Sequence, residues 1–286
     1  MSSVKAKKSF GQHFLKNESI AQQIAELALK HPTRNCLEIG PGMGVLTKHL
    51  QSLSLRHCGL DPQSPNNNEE MLKQVLHDGV HDGLRLKVVE VDKESVEYLL
   101  KNNIVEPHNC IEGDFLRLPL SPIFGGEAFC VIGNFPYNIS SQIVFRIIEH
   151  RALIPGMSGM FQREVARRIA SPKGSKEYGI ISVLVQAFFD TEYHFTVDEH
   201  EFLPPPKVKS GVISLYRKEN QELPCCEKTF IHVVKTGFNQ RRKTLRNSLK
   251  SIAFEEGFTE NEIFNLRPEQ LSVEDFIFLT QKVIHQ

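Results

Sequence analysis

The chain contains 286 residues, a length that accommodates one large domain and a smaller second one. Its 34 Lys and Arg residues balance 34 Asp and Glu residues, and this zero net charge excludes a uniformly basic nucleic-acid-binding protein. No apolar run approaches the roughly eighteen residues of a membrane span, and the lysine-containing amino terminus lacks the apolar stretch of a signal peptide. These features predict a cytoplasmic protein without a membrane partner, whose six scattered cysteines are reduced core thiols and bind no metal.

The first predicted elements are an amino-terminal arm, residues 1–17, and an amphipathic helix. One face of that helix carries the apolar residues Ile20, Ile24, Leu27 and Ala28. Strands and helices then alternate to about residue 190, which is the pattern of an α/β fold. A final strand is predicted at residues 212–216, with residues 191–197 as its antiparallel neighbour, and the chain becomes helical from about residue 218.

The strand predicted at residues 36–39 leads into a glycine-rich turn and then into a helix. The turn reads Gly40-Pro41-Gly42-Met43-Gly44, and its glycines let the backbone approach a nucleotide-type cofactor without a Cβ clash. The spacing G-x-G-x-G differs from the G-x-G-x-x-G of dinucleotide-binding proteins, and Pro41 removes an N–H that a pyrophosphate would use. The loop therefore favours S-adenosylmethionine over NAD as the cofactor.

Acidic residues lie at the ends of the next two predicted strands. A carboxylate there can accept both hydroxyls of a ribose, and Glu90 is the preferred residue, a solvated strand-end charge being the alternative. Asp114 can accept the amino group of the cofactor adenine, although an Asx-type turn explains the same Gly-Asp pair. Because these acids and the glycine loop all follow strands, we expect them at one edge of the sheet.

The most informative segment is Asn134-Phe135-Pro136-Tyr137, which directly follows an apolar run at residues 128–133. At the edge of a sheet, the amide oxygen of Asn134 and the carbonyl of Pro136 can each accept one N–H of an adenine amino group, which activates its nitrogen. Tyr137 or Phe135 can stack on the base. The competing interpretation is an ordinary proline turn whose aromatic residues pack into the core.

Residues 55–85 form a polar, proline-containing segment that we interpret as a surface insertion. Closing a longer loop costs only about 0.6 kcal/mol per doubling of its length, so the insertion is expected to be dispensable for catalysis. The alternatives are a loop that docks a partner, or a metal site built from His57, Cys58, His77 and His81.

Basic residues cluster in three segments despite the neutral net charge. Residues 238–250 contain no acid and five basic residues, namely Arg241, Arg242, Lys243, Arg246 and Lys250. The other two clusters are Lys5, Lys7, Lys8 and Lys16 in the arm, and Arg163, Arg167 and Arg168. Each cluster alone is typical of a solvated surface, but around a base-holding site they predict phosphate contacts, with Arg241, Arg242, Lys243 and Arg246 as the RNA-binding residues.

Together these motifs resemble the 16S ribosomal RNA adenine dimethyltransferases of the KsgA type, relatives of the erythromycin-resistance methyltransferases. The likeness spans almost the whole chain, and its most specific segments are residues 10–17 and 238–247, which read FGQHFLKN and FNQRRKTLRN. The other matching segments are residues 37–42, 89–92, 112–114, 134–141, 160–166 and 202–208.

The resemblance implies a class I, Rossmann-like S-adenosylmethionine methyltransferase domain at residues 18–217, with a seven-stranded sheet. It also implies a small helical domain at residues 218–286 and an RNA groove between the two. By position, His13, Leu15 and Gly40 would contact the methionine end of the cofactor. Glu90 would hold the ribose, Asp114 the cofactor adenine, and Asn134 would lie where cofactor and target base meet. His13 stands where many relatives have Asn, and either side chain can donate a hydrogen bond to a carboxylate.

The implied function is dimethylation at N6 of two adjacent adenosines in a hairpin near the 3′ end of 16S rRNA, by a monomeric enzyme of small-subunit biogenesis. One alternative is a 23S rRNA methyltransferase of the erythromycin-resistance type, which residues 202–208 and 238–247 fit less well. A protein or DNA methyltransferase is another, but it would not need the amino-terminal arm. A non-catalytic assembly or RNA-binding factor on the same fold is a third, against which the intact Glu90, Asp114 and Asn134 argue.

Overall fold

The computed structural model describes residues 6–7, 11–57 and 83–284, without the side chains of residues 54–57. Most of the insertion predicted at residues 55–85, together with its alternative metal site, lies outside the described residues. Within the described ranges, the His, Cys, Asp and Glu side chains form no cluster suited to a metal ion. In the same ranges, every helix is too short or too polar to cross a membrane.

Strands and helices alternate along most of the described chain. The strands are β1 (Phe14–Leu15), β2 (Asn35–Ile39), β3 (Arg85–Glu90), β4 (Cys110–Glu112), β5 (Cys130–Asn134), β6 (Gly156–Gln162), β7 (Phe189–Val197), β8 (Phe202–Leu203) and β9 (Ser210–Arg217). The α-helices are α1 (Glu18–Glu26), α2 (Val45–His57), α3 (Lys93–Lys101), α4 (Ser140–Glu149), α5 (Arg163–Ala170), α6 (Ile180–Gln186), α7 (Glu227–Asn239), α8 (Leu245–Ser248) and α9 (Val273–Gln281).

Seven of the described strands form one sheet in the order β4-β3-β2-β5-β6-β9-β7. The first five run parallel and β9 is antiparallel to β6, so the predicted α/β fold with a seven-stranded sheet is confirmed. After β2 the chain builds β3 and β4 on one side and returns to β5 on the other. The carboxyl ends of β2 and β5 therefore form a topological switch point, which is where open α/β sheets bind ligands.

The amino-terminal arm is tied to the rest of the chain by a small second sheet. Strand β1 pairs with β8 in antiparallel fashion, with Phe14 opposite Leu203. Helix α1 follows directly, and its first turn is capped by the side chain of Asn17, which accepts a hydrogen bond from the backbone N–H of Ile20. The arm therefore enters the domain in a defined direction next to β8.

The core of the sheet is apolar on both faces, as expected for parallel strands covered by helices. All five residues of β2 are buried, and so are four of the five in β5. The predicted apolar face of the first helix is confirmed for Ile24, Leu27 and Ala28, which are buried. Helix α1 itself ends at Glu26, and the chain continues as a 3-10 helix at Leu27–Lys30.

The described cysteines are free thiols. Cys36 and Cys130 lie opposite each other on β2 and β5 and are buried, as the prediction of core thiols requires. That prediction is wrong for Cys226, which is exposed because it lies in the surface turn just before α7.

The chain divides into two compact units. The first contains residues up to Arg163 together with His194–Tyr216, and the second contains Glu164–Tyr193 and Arg217–Gln286. The sequence predicted a helical domain that begins at residue 218, whereas this division groups residues 164–193, which include α6 and the first half of β7, with the residues after 216. The physical reason is packing, because the ring of Tyr178 is buried and lies against Phe238 of α7.

Candidate active site

The turn after β2 has a backbone conformation that favours glycine. Gly40, Gly42 and Gly44 have φ angles of +69°, +55° and +77°, in the left-handed region. A Cβ added at Gly42 would lie 2.8 Å from the ring of Phe14 in the arm. The turn therefore packs closely against the arm, and its backbone borders a cavity at the carboxyl edge of the sheet.

That cavity brings together most of the residues predicted from the sequence. The predicted residues that line it are His13, Gly40, Glu90, Asp114, Asn134, Phe135, Pro136 and Tyr137. Leu15 is buried and lines a smaller neighbouring cavity, which shares Gly40 and Asn134 with the first. The structure thus places the arm, the glycine turn and three strand ends around a single site in the first unit.

Glu90 is held at the end of β3 by backbone donors. Its carboxylate accepts hydrogen bonds from the N–H groups of Gly42 at 3.2 Å, Val91 at 2.9 Å and Asp92 at 2.9 Å. Burial raises the pKa of Glu90 above its ordinary value, and these three hydrogen bonds oppose that shift. The side chain therefore links the glycine turn to β3 while it faces the cavity.

Asp92 has a structural role that the sequence did not reveal. Its buried carboxylate lies 2.5 Å from the ammonium of Lys7, and it accepts hydrogen bonds from Gln12 and Ser95. Burial raises the pKa of Asp92, but these partners outweigh that effect and leave it below its ordinary value. Asp92 thus anchors the arm beside Glu90. The feature of the sequence that could have predicted this contact is an acid directly after β3 together with the lysines of the arm.

Asp114 combines the two interpretations offered from the sequence. One carboxylate oxygen accepts the backbone N–H of Leu116 at 2.9 Å, which is an Asx-type turn. The residue also lines the cavity, and its second oxygen lies 3.6 Å from the guanidinium of Arg117. The turn therefore orients the carboxylate at the cavity without excluding a ligand contact.

The orientation of the Asn134 amide follows from one hydrogen bond. Its Nδ2 donates to the backbone carbonyl of His13 at 2.8 Å, and a carbonyl can only accept. One N–H of the amide nitrogen is therefore committed to the arm, and the amide oxygen remains available as an acceptor in the cavity. The carbonyl of Pro136 accepts the N–H of Ile139 at 3.3 Å and keeps a second lone pair.

The two aromatic residues of the segment 134–137 have different surroundings. The ring of Phe135 is only 1% exposed and packs against Phe161 with centroids 4.7 Å apart, so its predicted role as a stacking surface is wrong. The ring of Tyr137 is half-buried and stacks on His13 at 5.4 Å, while its hydroxyl is hydrogen-bonded to Ser210. Tyr137 thus remains as the predicted stacking partner for a base.

His13 is held by its ring as well as by its backbone. Its Nδ1 lies 2.8 Å from the carbonyl of Pro204, so Nδ1 carries the hydrogen. A neutral His13 consequently offers only a lone pair at Nε2, whereas Asn at this position always retains a donor. The expectation that His13 donates to the cofactor carboxylate as Asn would therefore requires the imidazolium form.

Glu38 is a further buried acid that sequence reasoning did not assign to the site. It lies at the end of β2 with 1% exposure, lines the smaller cavity, and has one oxygen without a hydrogen-bond partner among the described residues. Burial raises the pKa of Glu38 to about 8, and the charge of Glu90 adds to this. Glu38 is therefore largely protonated at neutral pH.

The predicted RNA-binding residues all lie in the second unit. Arg242, Lys243 and Arg246 are exposed, as a phosphate contact requires. Arg241 is half-buried, and its guanidinium donates to the backbone carbonyls of Ser175 and Lys176. The prediction of a direct phosphate contact is therefore not supported for Arg241.

The residues around the main cavity fit a nucleoside cofactor that lacks phosphates. Glu90 and Asp114 present carboxylates, which attract hydroxyl and amino donors and repel a diphosphate. The glycine turn leaves its backbone close to the cavity, and Pro41 contributes no N–H for an anion. The mostly parallel sheet with this site defines a Rossmann-like methyltransferase that uses S-adenosylmethionine.

Comparison with known proteins identifies the family within that class. The chain belongs to the ribosomal RNA adenine dimethylase family, whose family model matches residues 3–277. Ribosomal RNA small subunit methyltransferase A of Flavobacterium johnsoniae is 54% identical over 283 residues, which are 99% of this chain and 97% of the relative. The protein of the same name from Porphyromonas gingivalis is 51% identical over 283 residues, which are 98% of each chain.

Two solved structures share the fold at lower identity. A dimethyladenosine transferase from Plasmodium falciparum has a TM-score of 0.69 and 23% identity, over 93% of this chain and 96% of that one. The 23S rRNA methyltransferase ErmE has a TM-score of 0.60 and 23% identity, over 94% of this chain and 100% of that one. These likenesses support the fold of the chain.

Proposed function

We propose that this protein transfers methyl groups from S-adenosylmethionine to N6 of two adjacent adenosines in a hairpin near the 3′ end of 16S rRNA. The observation that carries the proposal is the orientation of Asn134, whose amide nitrogen is bound to the arm at 2.8 Å and whose oxygen is left for a substrate amine. The family and the names of the relatives with about half of their residues identical support rRNA adenine as the substrate.

The site supplies positioning and hydrogen-bond acceptors. S-adenosylmethionine, when bound, supplies an electrophilic methyl group on a sulfonium sulfur. The Asn134 amide oxygen and the Pro136 carbonyl accept the two N–H groups of the target amine, which favours a pyramidal nitrogen with an available lone pair. Tyr137 stacks on the base, a contact worth about 1–3 kcal/mol. The methylated nitrogen is acidic enough to lose its proton to water, so no side chain is needed as a base.

The test is the variant Asn134→Ala. We expect kcat to fall about 10²-fold or more, as for the loss of one oriented hydrogen-bonding group. The measurement combines single-turnover methylation of small-subunit rRNA with calorimetric titration of the cofactor. In cells that lack the gene, the variant should fail to restore the primer-extension stop that dimethyladenosine produces.

The matched control is Asn220→Ala, which removes the same side chain from an exposed position. It should leave both measurements unchanged. Near-normal turnover in the Asn134 variant would contradict the proposed mechanism, because the amide oxygen would then have no catalytic role.

Two of the other functions considered have distinct signatures. A 23S rRNA methyltransferase would modify large-subunit rRNA in the same assay, and a non-catalytic assembly factor would bind rRNA but would not bind the cofactor. We infer that the protein acts as a cytoplasmic monomer on the small-subunit precursor. Size-exclusion chromatography coupled to light scattering tests the monomer, and cell fractionation tests the location.

A further inference from the structure

The loop between α5 and α6, residues 171–179, carries basic residues that were not predicted from the sequence to bind RNA. Lys173 and Lys176 both lie in this loop and both are exposed. The loop belongs to the second compact unit, the same unit that contains Arg241, Arg242, Lys243 and Arg246.

The loop is fixed on both sides of Lys176. The ring of Tyr178 is buried against Phe238, with centroids 6.2 Å apart. The backbone N–H of Tyr178 donates to the side chain of Ser175. On the other side, the N–H of Gly174 donates to the carbonyl of Glu269 at 2.6 Å. A loop held in this way loses little conformational freedom when it binds a ligand.

Arg241 joins this loop to the turn that follows α7. Its Nη2 donates to the carbonyl of Lys176 at 2.6 Å and to that of Ser175 at 3.3 Å. The guanidinium is therefore committed to the loop backbone, and the next two residues, Arg242 and Lys243, are exposed beside it. Two basic segments that are 65 residues apart in sequence become neighbours through this contact.

These exposed residues of the second unit carry an excess of positive charge. Lys176, Arg242, Lys243 and Arg246 form no ion pair with any residue that the structure describes. Lys173 is partly neutralised by Asp275, whose carboxylate lies 3.7 Å away, and the single acid of the loop, Glu177, is half-buried. Clustered, unpaired cations on a fixed backbone fit the phosphates of a nucleic acid.

We propose that Lys176 forms a phosphate-binding surface for RNA together with Arg242, Lys243 and Arg246, and that Arg241 is a positioning residue that holds Lys176 in this surface. The inference rests on the proposed function, because it assumes an RNA substrate. It adds Lys176, from a separate loop, to the residues that contact RNA. It also changes the role of Arg241, which supports this loop and does not contact RNA itself.

The first experiment measures the affinity of the full-length protein for a small-subunit rRNA hairpin at several salt concentrations. Lys176→Gln should reduce the slope of log K against log salt by about 1, the value expected for the loss of one phosphate contact. The control Lys228→Gln makes the same charge change in the first turn of α7, roughly 18 Å along the helix from residue 240, and should keep the wild-type slope. An unchanged slope for Lys176→Gln would overturn the proposal.

The second experiment tests whether Arg241 supports the loop or contacts RNA directly. Arg241→Lys keeps the charge but presents a single ammonium in place of a planar guanidinium that reaches two carbonyls. A positioning role predicts weaker RNA binding for this variant, and no additional loss when it is combined with Lys176→Gln. Wild-type affinity for Arg241→Lys, or losses that add fully in the double variant, would show direct contact instead.

The outcomes distinguish this proposal from the proposed function. If the wild-type protein neither binds nor methylates the small-subunit hairpin, the proposed substrate is wrong. If it binds and methylates the hairpin while Lys176→Gln behaves as wild type, only the surface assignment is wrong. Cofactor titration of each variant verifies that the first unit is intact, and competition by polyglutamate as strong as that by RNA would indicate an acidic protein partner and contradict the assignment.

Discussion

Single residues at the edge of the sheet have properties that depend on their surroundings more than on their type. Glu38 and Glu90 are both buried acids at the ends of neighbouring strands, but Glu90 accepts three backbone hydrogen bonds and Glu38 has an oxygen without a partner. The pKa of Glu38 is therefore raised to about 8 in the folded protein, and the carboxyl keeps its proton below that pH. The ring of Tyr137, in contrast, is oriented by stacking on His13 and by the hydrogen bond between its hydroxyl and Ser210.

Glu38→Gln should change how stability depends on pH. In the unfolded chain Glu38 ionises near 4.5, whereas in the folded protein it ionises near 8. Between these values the folded state binds the extra proton, so the free energy of unfolding of the wild type should decline as pH rises through this window. The variant lacks this contribution, and its Tm should fall less steeply with pH. The control Glu97→Gln removes an exposed acid, and parallel curves for all three proteins would contradict the buried proton.

Substitutions at Tyr137 should separate the ring from the hydroxyl. Tyr137→Phe keeps the stacking surface and loses only the hydrogen bond to Ser210, so we expect a modest loss of kcat/KM. Tyr137→Ala removes the ring, and the loss of about 1–3 kcal/mol of stacking predicts a further decrease of roughly 5-fold to 150-fold. The comparison variant Ser210→Ala should resemble Tyr137→Phe. Equal losses for Phe and Ala at position 137 would assign the role to the hydroxyl.

At the scale of elements, the arm and the glycine turn form one structural unit of the site. Strand β1 pairs with β8, Lys7 is paired with Asp92, and Phe14 fills the space that a side chain at Gly42 would need. The hydrogen bond from Asn134 to His13 adds the end of β5 to the same unit. Displacing the arm is therefore expected to disturb the glycine turn and the acceptor oxygen together.

Gly42→Ala should test this coupling. The new Cβ would lie 2.8 Å from the Phe14 ring at a backbone φ of +55°, so both the arm and the turn must move. We expect a loss of stability of about 1–3 kcal/mol and a marked loss of cofactor affinity, measured by thermal unfolding and by titration. Gly257→Ala is the control, because its φ is +75° but its Cβ would contact nothing. It should lose stability from backbone strain alone and bind the cofactor normally, and equal cofactor binding in both variants would contradict the coupling.

At the scale of the whole molecule, a neutral chain carries a locally basic surface in one unit and a carboxylate-lined cavity in the other. The alternation of apolar strands and amphipathic helices was sufficient to predict the sheet and the residues at its carboxyl edge, because these patterns are local and repeat along the chain. The predicted domain boundary at residue 218 differs from the observed units because residues 164–193 pack with the helices that follow. Such packing depends on which apolar faces meet in the folded chain, and local sequence patterns carry no information about that.

The sequence by itself determined the α/β class, the order of the motifs and the identity of the residues at the strand ends, since backbone geometry and apolar period follow from neighbouring residues. Only the tertiary structure decided that Phe135 is buried, that Glu38 keeps its proton, that Arg241 supports a loop, and that the Asn134 oxygen is the free acceptor. The last two depend on partners 65 and 121 residues away. A hydrogen bond over that separation has no local signal, because only the folded chain brings its donor and acceptor together.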